Sequence, residues 1–313
     1  MSPLQIIFAG AGEFGLPSLK ALLERGHSIV QVISQPDRPA GRGRKLTPTP
    51  IAQFAIEQNL PLNRTENINA ETLPAGDLLV VIAFGQKIAE HVVHHARLGA
   101  VNLHSSRLPK FRGAAPINAA ILAGETVSGN SVIRLAQKMD AGAIVGQSSL
   151  PVGELETAGE LHDRLAVDGA NLLLDVVEQL SNGTATETRQ DESQATLAKK
   201  LSRESTGIDW SKAATEIAVQ IRGLYPWPGC RVQLMDNEKV VDRITLVRAR
   251  SGRAEGPPCR RAPGAIMLDG KVATGDGMLE IIEIQPEGKR PMPLAAYRNG
   301  HRWETGMRLE SIA

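Results

Sequence analysis

Short apolar runs closed by glycine, proline or a polar residue set the rhythm of the first half of the chain. Leu4 to Ala9, Ser28 to Ser34, Asp77 to Ala83, Gly99 to His104, Asn130 to Ala136 and Ala143 to Leu150 have strand length. The nearly continuous hydrophobicity of these runs predicts strands buried on both faces. Helical spacings lie between them: after Gly10-Ala11-Gly12-Glu13-Phe14-Gly15 through Arg25, over Pro50 to Asn59, around Glu90 to His95, and over Thr157 to Leu180. Strands alternating with helices predict an α/β domain over residues 1–188, a mostly parallel doubly wound (Rossmann-like) sheet covered on both faces.

The pattern then changes. Residues 189–206 are polar with no sustained apolar period and read as an interdomain connection, while Gly183 to Thr188 can still pair as a sheet edge. Asp209 or Ser211 caps a helix running to Arg222, which Pro226 forbids from continuing far. From Cys230 onward, alternating stretches (231–234, 240–248, 264–268, 271–274 and 278–285) are separated by Gly, Asp and Asn. They predict a small OB-like β-barrel domain over 207–313.

Composition narrows the function classes. At 313 residues the chain can build two cores. Its 3% aromatic content argues against stacking-dominated binding of single-stranded nucleic acid. A formal charge of +1 gives no whole-molecule field for a polyanion, so contact with nucleic acid must use local patches. Two patches qualify. Residues 37–46 place Arg38, Arg42, Arg44 and Lys45 against Asp37, spaced by glycines. Residues 248–261 place Arg248, Arg250, Arg253, Arg260 and Arg261 against Glu255. Each suits phosphate contacts, and each is equally readable as a solvated loop. Cys230 and Cys259 form no metal spacing and are expected as free thiols of a reducing, cytoplasmic compartment. The first residues read as a strand rather than a signal peptide, and no run reaches bilayer-spanning length, so no membrane partner is expected.

Candidate chemistry gathers in residues 99–142. Asn102 and His104, two apart on a strand, share a face. Asp140 follows a different strand, where open α/β sheets place their ligands. An amide donor, an imidazole and a carboxylate suit acyl transfer: the amide holds an oxyanion, the imidazole moves a proton, and the carboxylate orients the imidazole and favours its charged form. Strand-end Asn and His are also ordinary turn formers, and the residues alone leave both readings open. Gly10 to Gly15 is a formal dinucleotide fingerprint, but the next strand ends in Ser34-Gln35-Pro36 without the acidic residue that holds a ribose, so NAD is not expected. His91, His94 and His95 have one-face spacing but no further ligand pair, so no metal is expected either.

The chain resembles the methionyl-tRNA formyltransferase family across nearly its whole length. The matching blocks are Gln35-Pro36-Asp37-Arg38-Pro39-Ala40-Gly41-Arg42-Gly43, Asn102-Leu103-His104 with Arg112-Gly113-Ala114-Ala115-Pro116-Ile117, and Met139-Asp140-Ala141-Gly142. Lys200-Leu201-Ser202, Ile208-Asp209-Trp210 and Pro226-Trp227-Pro228-Gly229 carry the match into the second domain. The resemblance implies formyl transfer from 10-formyltetrahydrofolate, as co-substrate, to the amino group of initiator methionyl-tRNA in translation initiation, by a monomer without metal. By position, Asn102 would hold the oxyanion, His104 would move the proton and Asp140 would orient His104. Phe84, Gly85, Ser106, Leu108 and Pro109 would frame the folate. Arg38, Arg42, Arg44, Lys45, Arg248 and Arg250 would contact the tRNA. Arg107 stands where the family commonly has leucine, Ser105 where it has glycine or alanine, and Phe84 where it has tyrosine. Two alternatives remain: an N-formyltransferase of amino-sugar nucleotides or other small amines, and, from another class, a non-catalytic tRNA-binding protein.

Overall fold

The buried runs of the first half lie side by side in one seven-stranded sheet. The computed structural model describes residues 3–40, 43, 45–252 and 262–312; Arg42, Arg44, Arg253, Cys259, Arg260 and Arg261 lie outside the described residues. The sheet strands are β1 (Gln5–Gly10), β2 (Ser28–Ser34), β3 (Leu62–Arg64), β4 (Leu78–Ile82), β5 (Ala100–His104), β6 (Ser131–Arg134) and β7 (Ile144–Gln147). Their spatial order is β7-β6-β5-β4-β1-β2-β3. The pairings from β5 to β3 are parallel. β6 runs antiparallel to both β5 and β7, so one edge departs from the parallel pattern.

The hydrophobicity of these strands follows from burial on both faces. Ile7, Ala9, Leu79 and Val81 join Phe84 in one apolar cluster, while the alternating Ile6, Phe8, Val80 and Ile82 are also fully buried. Helices α1 (Leu16–Glu24), α2 (Pro50–Glu57) and α3 (Ala158–Asn182) follow the expected spacings. α2 starts where Thr49 accepts a hydrogen bond from the Ala52 N–H and Pro50 fixes the first turn. α3 presents Leu165, Leu173, Val176 and Val177 as its buried stripe. No helix among the described residues is long and apolar enough to cross a membrane.

The chain divides into two compact units. One takes Met1–Pro116, Val127–Leu150 and His162–Ala198; the other takes Ile117–Thr126, Pro151–Leu161 and Lys199–Ala313. Residues 189–198, polar enough to read as connection, lie in the first unit. Their side chains bind backbone and Arg112 instead of filling a core, which leaves no apolar period to detect. Thr188 also forms an isolated bridge with Ile144 at the edge of β7.

The second unit is built on β8 (Cys230–Asp236), β9 (Lys239–Gly252), β10 (Val272–Ala273), β11 (Met278–Pro286), β12 (Met292–Pro293) and β13 (Met307–Ser311). The order β10-β11-β9-β8-β13 is antiparallel throughout. Bridges from Ala265 to Arg308 and from Ile266 to Val272 nearly close it into a barrel. Helix α4 (Ala214–Leu224) packs Ile217 and Ile221 into a core with Leu246 and Ile281. The alternation missed the short β12 and also β13, where Arg308 and Glu310 mask the buried Met307 and Leu309.

Candidate active site

β5 ends at the candidate site. Val101 and Leu103 are buried on one side, which turns Asn102 and His104 together to the other. Among the described residues no hydrogen bond reaches the Asn102 side-chain amide, so its N–H donors are available to a ligand. His104 is nearly buried, 6% exposed, and its ring is fixed. Nε2 lies 2.9 Å from the Phe111 carbonyl, which can only accept, so this nitrogen carries a proton and donates it. Nδ1 faces Asp140 Oδ2 at 3.7 Å, an ion-pair distance longer than a hydrogen bond.

Asp140 reaches this position in a way the sequence does not reveal. β6 is antiparallel to β5, with Ser131 opposite His104 and Arg134 opposite Val101, so β6 ends away from His104. The segment between β6 and β7 must fold back. It does so with Asp140 in the left-handed backbone region at φ +53°. Asp140 Oδ2 also accepts the Gly113 N–H at 2.8 Å. The expectation that a strand end in a parallel sheet delivers Asp140 is therefore corrected: a returning loop delivers it.

The residues that hold this loop carry no family-independent signal in the sequence. Arg112 is 3% exposed; its guanidinium donates to Gln190 Oε1 at 3.0 and 2.7 Å and to Glu192 at 3.1 and 2.8 Å. The Gln190 amide donates to the carbonyls of Asp140 and Gly142, each at 2.8 Å. The Arg112 guanidinium and the Lys138 ammonium hold the Glu192 carboxyl at a pKa of about 2. Their sequence separations from Asp140, with no shared periodicity, hid them.

The residues expected around the folate are framework in their side chains. The Phe84 ring is 2% exposed and belongs to the core, so the backbone of Phe84-Gly85 is what it offers a ligand. Gln35 Nε2 donates to the Phe84 carbonyl at 2.6 Å. Ser106 is fully buried, with Oγ on the Lys110 carbonyl. Leu108 is buried, its N–H on Ser131 Oγ and its carbonyl on Gln147 Nε2. Pro109 is half-buried.

Of the arginines and lysine expected to meet tRNA, Arg38 and Lys45 are exposed and make no side-chain ion pair or hydrogen bond among the described residues. They sit on a two-stranded ribbon, Arg38–Ala40 paired with Lys45–Thr47, where a loop was expected. Arg248 requires correction. Beside register shifts in the β9–β11 pairing, it binds Glu160, Glu283 and the Leu155 carbonyl, which engages most of its guanidinium donors. Arg250 is taken by Glu280 through two contacts at 2.8 and 3.0 Å. Glu280 and Glu283 lie on β11 and Glu160 on α3, and pairing with such distant residues is invisible to a count of local charge. The histidines at 91, 94 and 95 contact Asn69, Glu90 and Pro74 separately.

Residues 4–177 match the formyl transferase domain family, and residues 200–302 match the formyl transferase C-terminal domain. A methionyl-tRNA formyltransferase of Methylococcus capsulatus is 40% identical over 307 residues, covering 95% of this chain and 97% of its own. One of Stutzerimonas stutzeri is 38% identical over 310 residues, covering 96% of each. Among solved structures, a sugar 3N-formyl transferase crystallised with dTDP and 5-N-formyl-THF superposes with a TM-score of 0.64 at 18% identity, covering 93% of this chain and all of that one. That likeness is one of fold. The chain, matched over nearly all of its length, belongs to the methionyl-tRNA formyltransferase family.

Proposed function

We propose that this chain moves the formyl group of 10-formyltetrahydrofolate to the amino group of initiator methionyl-tRNA, with Asn102, His104 and Asp140 as its catalytic residues. The observation that carries the reading is Asp140 Oδ2 at 3.7 Å from His104 Nδ1, whose strand face also holds the Asn102 amide, without a partner among the described residues. In the reaction the neutral amine attacks the formyl carbon and the carbonyl oxygen takes up the electron pair. Asn102 donates to that oxyanion. His104, with Nε2 committed to Phe111, uses Nδ1 to take the proton from the attacking nitrogen and return it to the folate nitrogen. The bond from that nitrogen to the formyl carbon then breaks, releasing tetrahydrofolate and N-formyl-methionyl-tRNA. Asp140 balances the charge His104 carries in transit.

The backbone around Phe84, Gly85, Ser106, Leu108 and Pro109 is assigned to the folate in this reading. Arg38, Arg42, Arg44 and Lys45 are assigned to tRNA phosphates, and Arg248 and Arg250 are left out because glutamates occupy them. The protein works as a cytoplasmic monomer.

The deciding assay offers 10-formyltetrahydrofolate with either charged initiator tRNA or a nucleotide-linked amino sugar. Formylated tRNA is expected. A formylated sugar with no tRNA product would overturn the reading in favour of a small-amine enzyme. Salt-sensitive tRNA binding without turnover, indifferent to His104→Ala, would make it a non-catalytic binder. Losing an oxyanion donor costs about 3 kcal/mol, so Asn102→Ala should slow turnover on the order of a hundredfold. Arg42→Ala should raise KM for charged tRNA and spare the KM for the formyl donor; equal losses would contradict its assignment.

A further inference from the structure

We propose that residues 190–198 form a positioning strap for the catalytic pair, with Gln190 as the positioning residue for Asp140. This rests on the formyl transfer proposed for the same site. Two non-glycine residues that meet His104 stand in the left-handed backbone region: Phe111 at φ +62° and Asp140 at φ +53°. Such a conformation is unfavourable for a side-chain-bearing residue and persists where neighbours over-determine it. The strap supplies those neighbours for both.

At one end, Gln190 is 5% exposed and its amide is fully used. Nε2 gives its two hydrogens to the Asp140 and Gly142 carbonyls. Oε1 accepts twice from Arg112. Glutamate lacks the donors and asparagine lacks the reach, so only glutamine completes the set. Arg112 immediately precedes Gly113, whose N–H holds Asp140 Oδ2, so Gln190 ties down the carboxylate's backbone and its hydrogen-bond donor together.

At the other end, Thr196 Oγ1 accepts the Phe111 N–H at 2.9 Å, and the Thr196 carbonyl accepts the Arg112 N–H at 2.9 Å. Leu197–Ala198 then pairs in parallel with Arg112–Gly113. A Cβ at Gly113 would lie 2.5 Å from the Ala198 carbonyl oxygen, so the two strands approach as closely as glycine allows. Phe111 is the residue whose carbonyl fixes the His104 ring. One short segment thus sets the imidazole through Phe111 and the carboxylate through Gln190.

The test is a double-substitution cycle with full kinetics and melting curves. Gln190→Glu keeps the volume and the acceptor for Arg112 but removes both donors. It should lower kcat roughly ten- to a hundredfold, with KM for donor and tRNA nearly unchanged. Combined with Asp140→Asn, it should add no further loss, because a residue acting only through Asp140 has nothing left to position. Losses that multiply in the double variant, or a wild-type kcat in Gln190→Glu, would overturn the proposal. A wild-type kcat in Asp140→Asn would instead strike the proposed function itself. Should Gln190→Glu fail to fold, the exposed Thr196 decides: Thr196→Val should lower kcat and Thr196→Ser should restore it, whereas equal rates for both would end the idea.

Discussion

At Gly142 the loop that carries Asp140 meets its tightest steric demand. A Cβ there would lie 1.8 Å from the Arg134 carbonyl oxygen, against backbone that has no flexible end to give way. Gly142→Ala is expected to cost about 1–3 kcal/mol or more by forcing the loop apart. The melting midpoint should fall along with activity, and an unchanged midpoint would show that the loop has room the geometry denies. Asn102 is the opposite case. Its side chain has no hydrogen-bond partner among the described residues, so Asn102→Ala should cut turnover and leave melting nearly where it was. Burial pushes the Cys230 thiol up to about 12, which leaves almost no thiolate near neutrality. Peptide mapping after iodoacetamide treatment of the native protein should find Cys230 unmodified.

Among the elements, β9 shows how a basic stretch becomes structure. Arg248 draws the Glu160 carboxyl down to about 2, chiefly by hydrogen bonding. A carboxylate with a lower pKa folded than unfolded binds fewer protons in the native state. Its stabilising contribution is full above a pH of about 4.5 and drains away as the pH falls towards 2. The stability difference between wild type and Glu160→Gln, measured by urea unfolding, should therefore be greatest near neutrality and shrink across that window. A difference that grew on acidification would mean the pair does not persist in solution. Glu192 behaves in the same sense on the strap, so acid should loosen the Arg112 attachment over the same range.

For the whole molecule, a formal charge of +1 leaves attraction of tRNA to local cations. The structure reduces their number below the sequence count, since Arg248, Arg250, Arg302 and Arg308 are each held by carboxylates. Rising salt should increase KM for charged tRNA in proportion to the few phosphates neutralised, and leave KM for the formyl donor flat. A salt-independent KM for tRNA would remove phosphate contacts from the account.

The sequence alone determined what depends on near neighbours. The identity of the long strands and helices followed from apolar period, the pairing of Asn102 with His104 on one face followed from the two-residue repeat, and the family followed from blocks of matched residues. Tertiary structure decided what depends on distant partners. It made β6 antiparallel and so required a loop to bring Asp140 back to His104. It turned residues 190–198 from apparent connection into a strap, and Arg248 from an apparent phosphate contact into an ion-pair centre. In each case the outcome hangs on hydrogen bonds between residues tens of positions apart, whose geometry exists only once the chain has closed on itself.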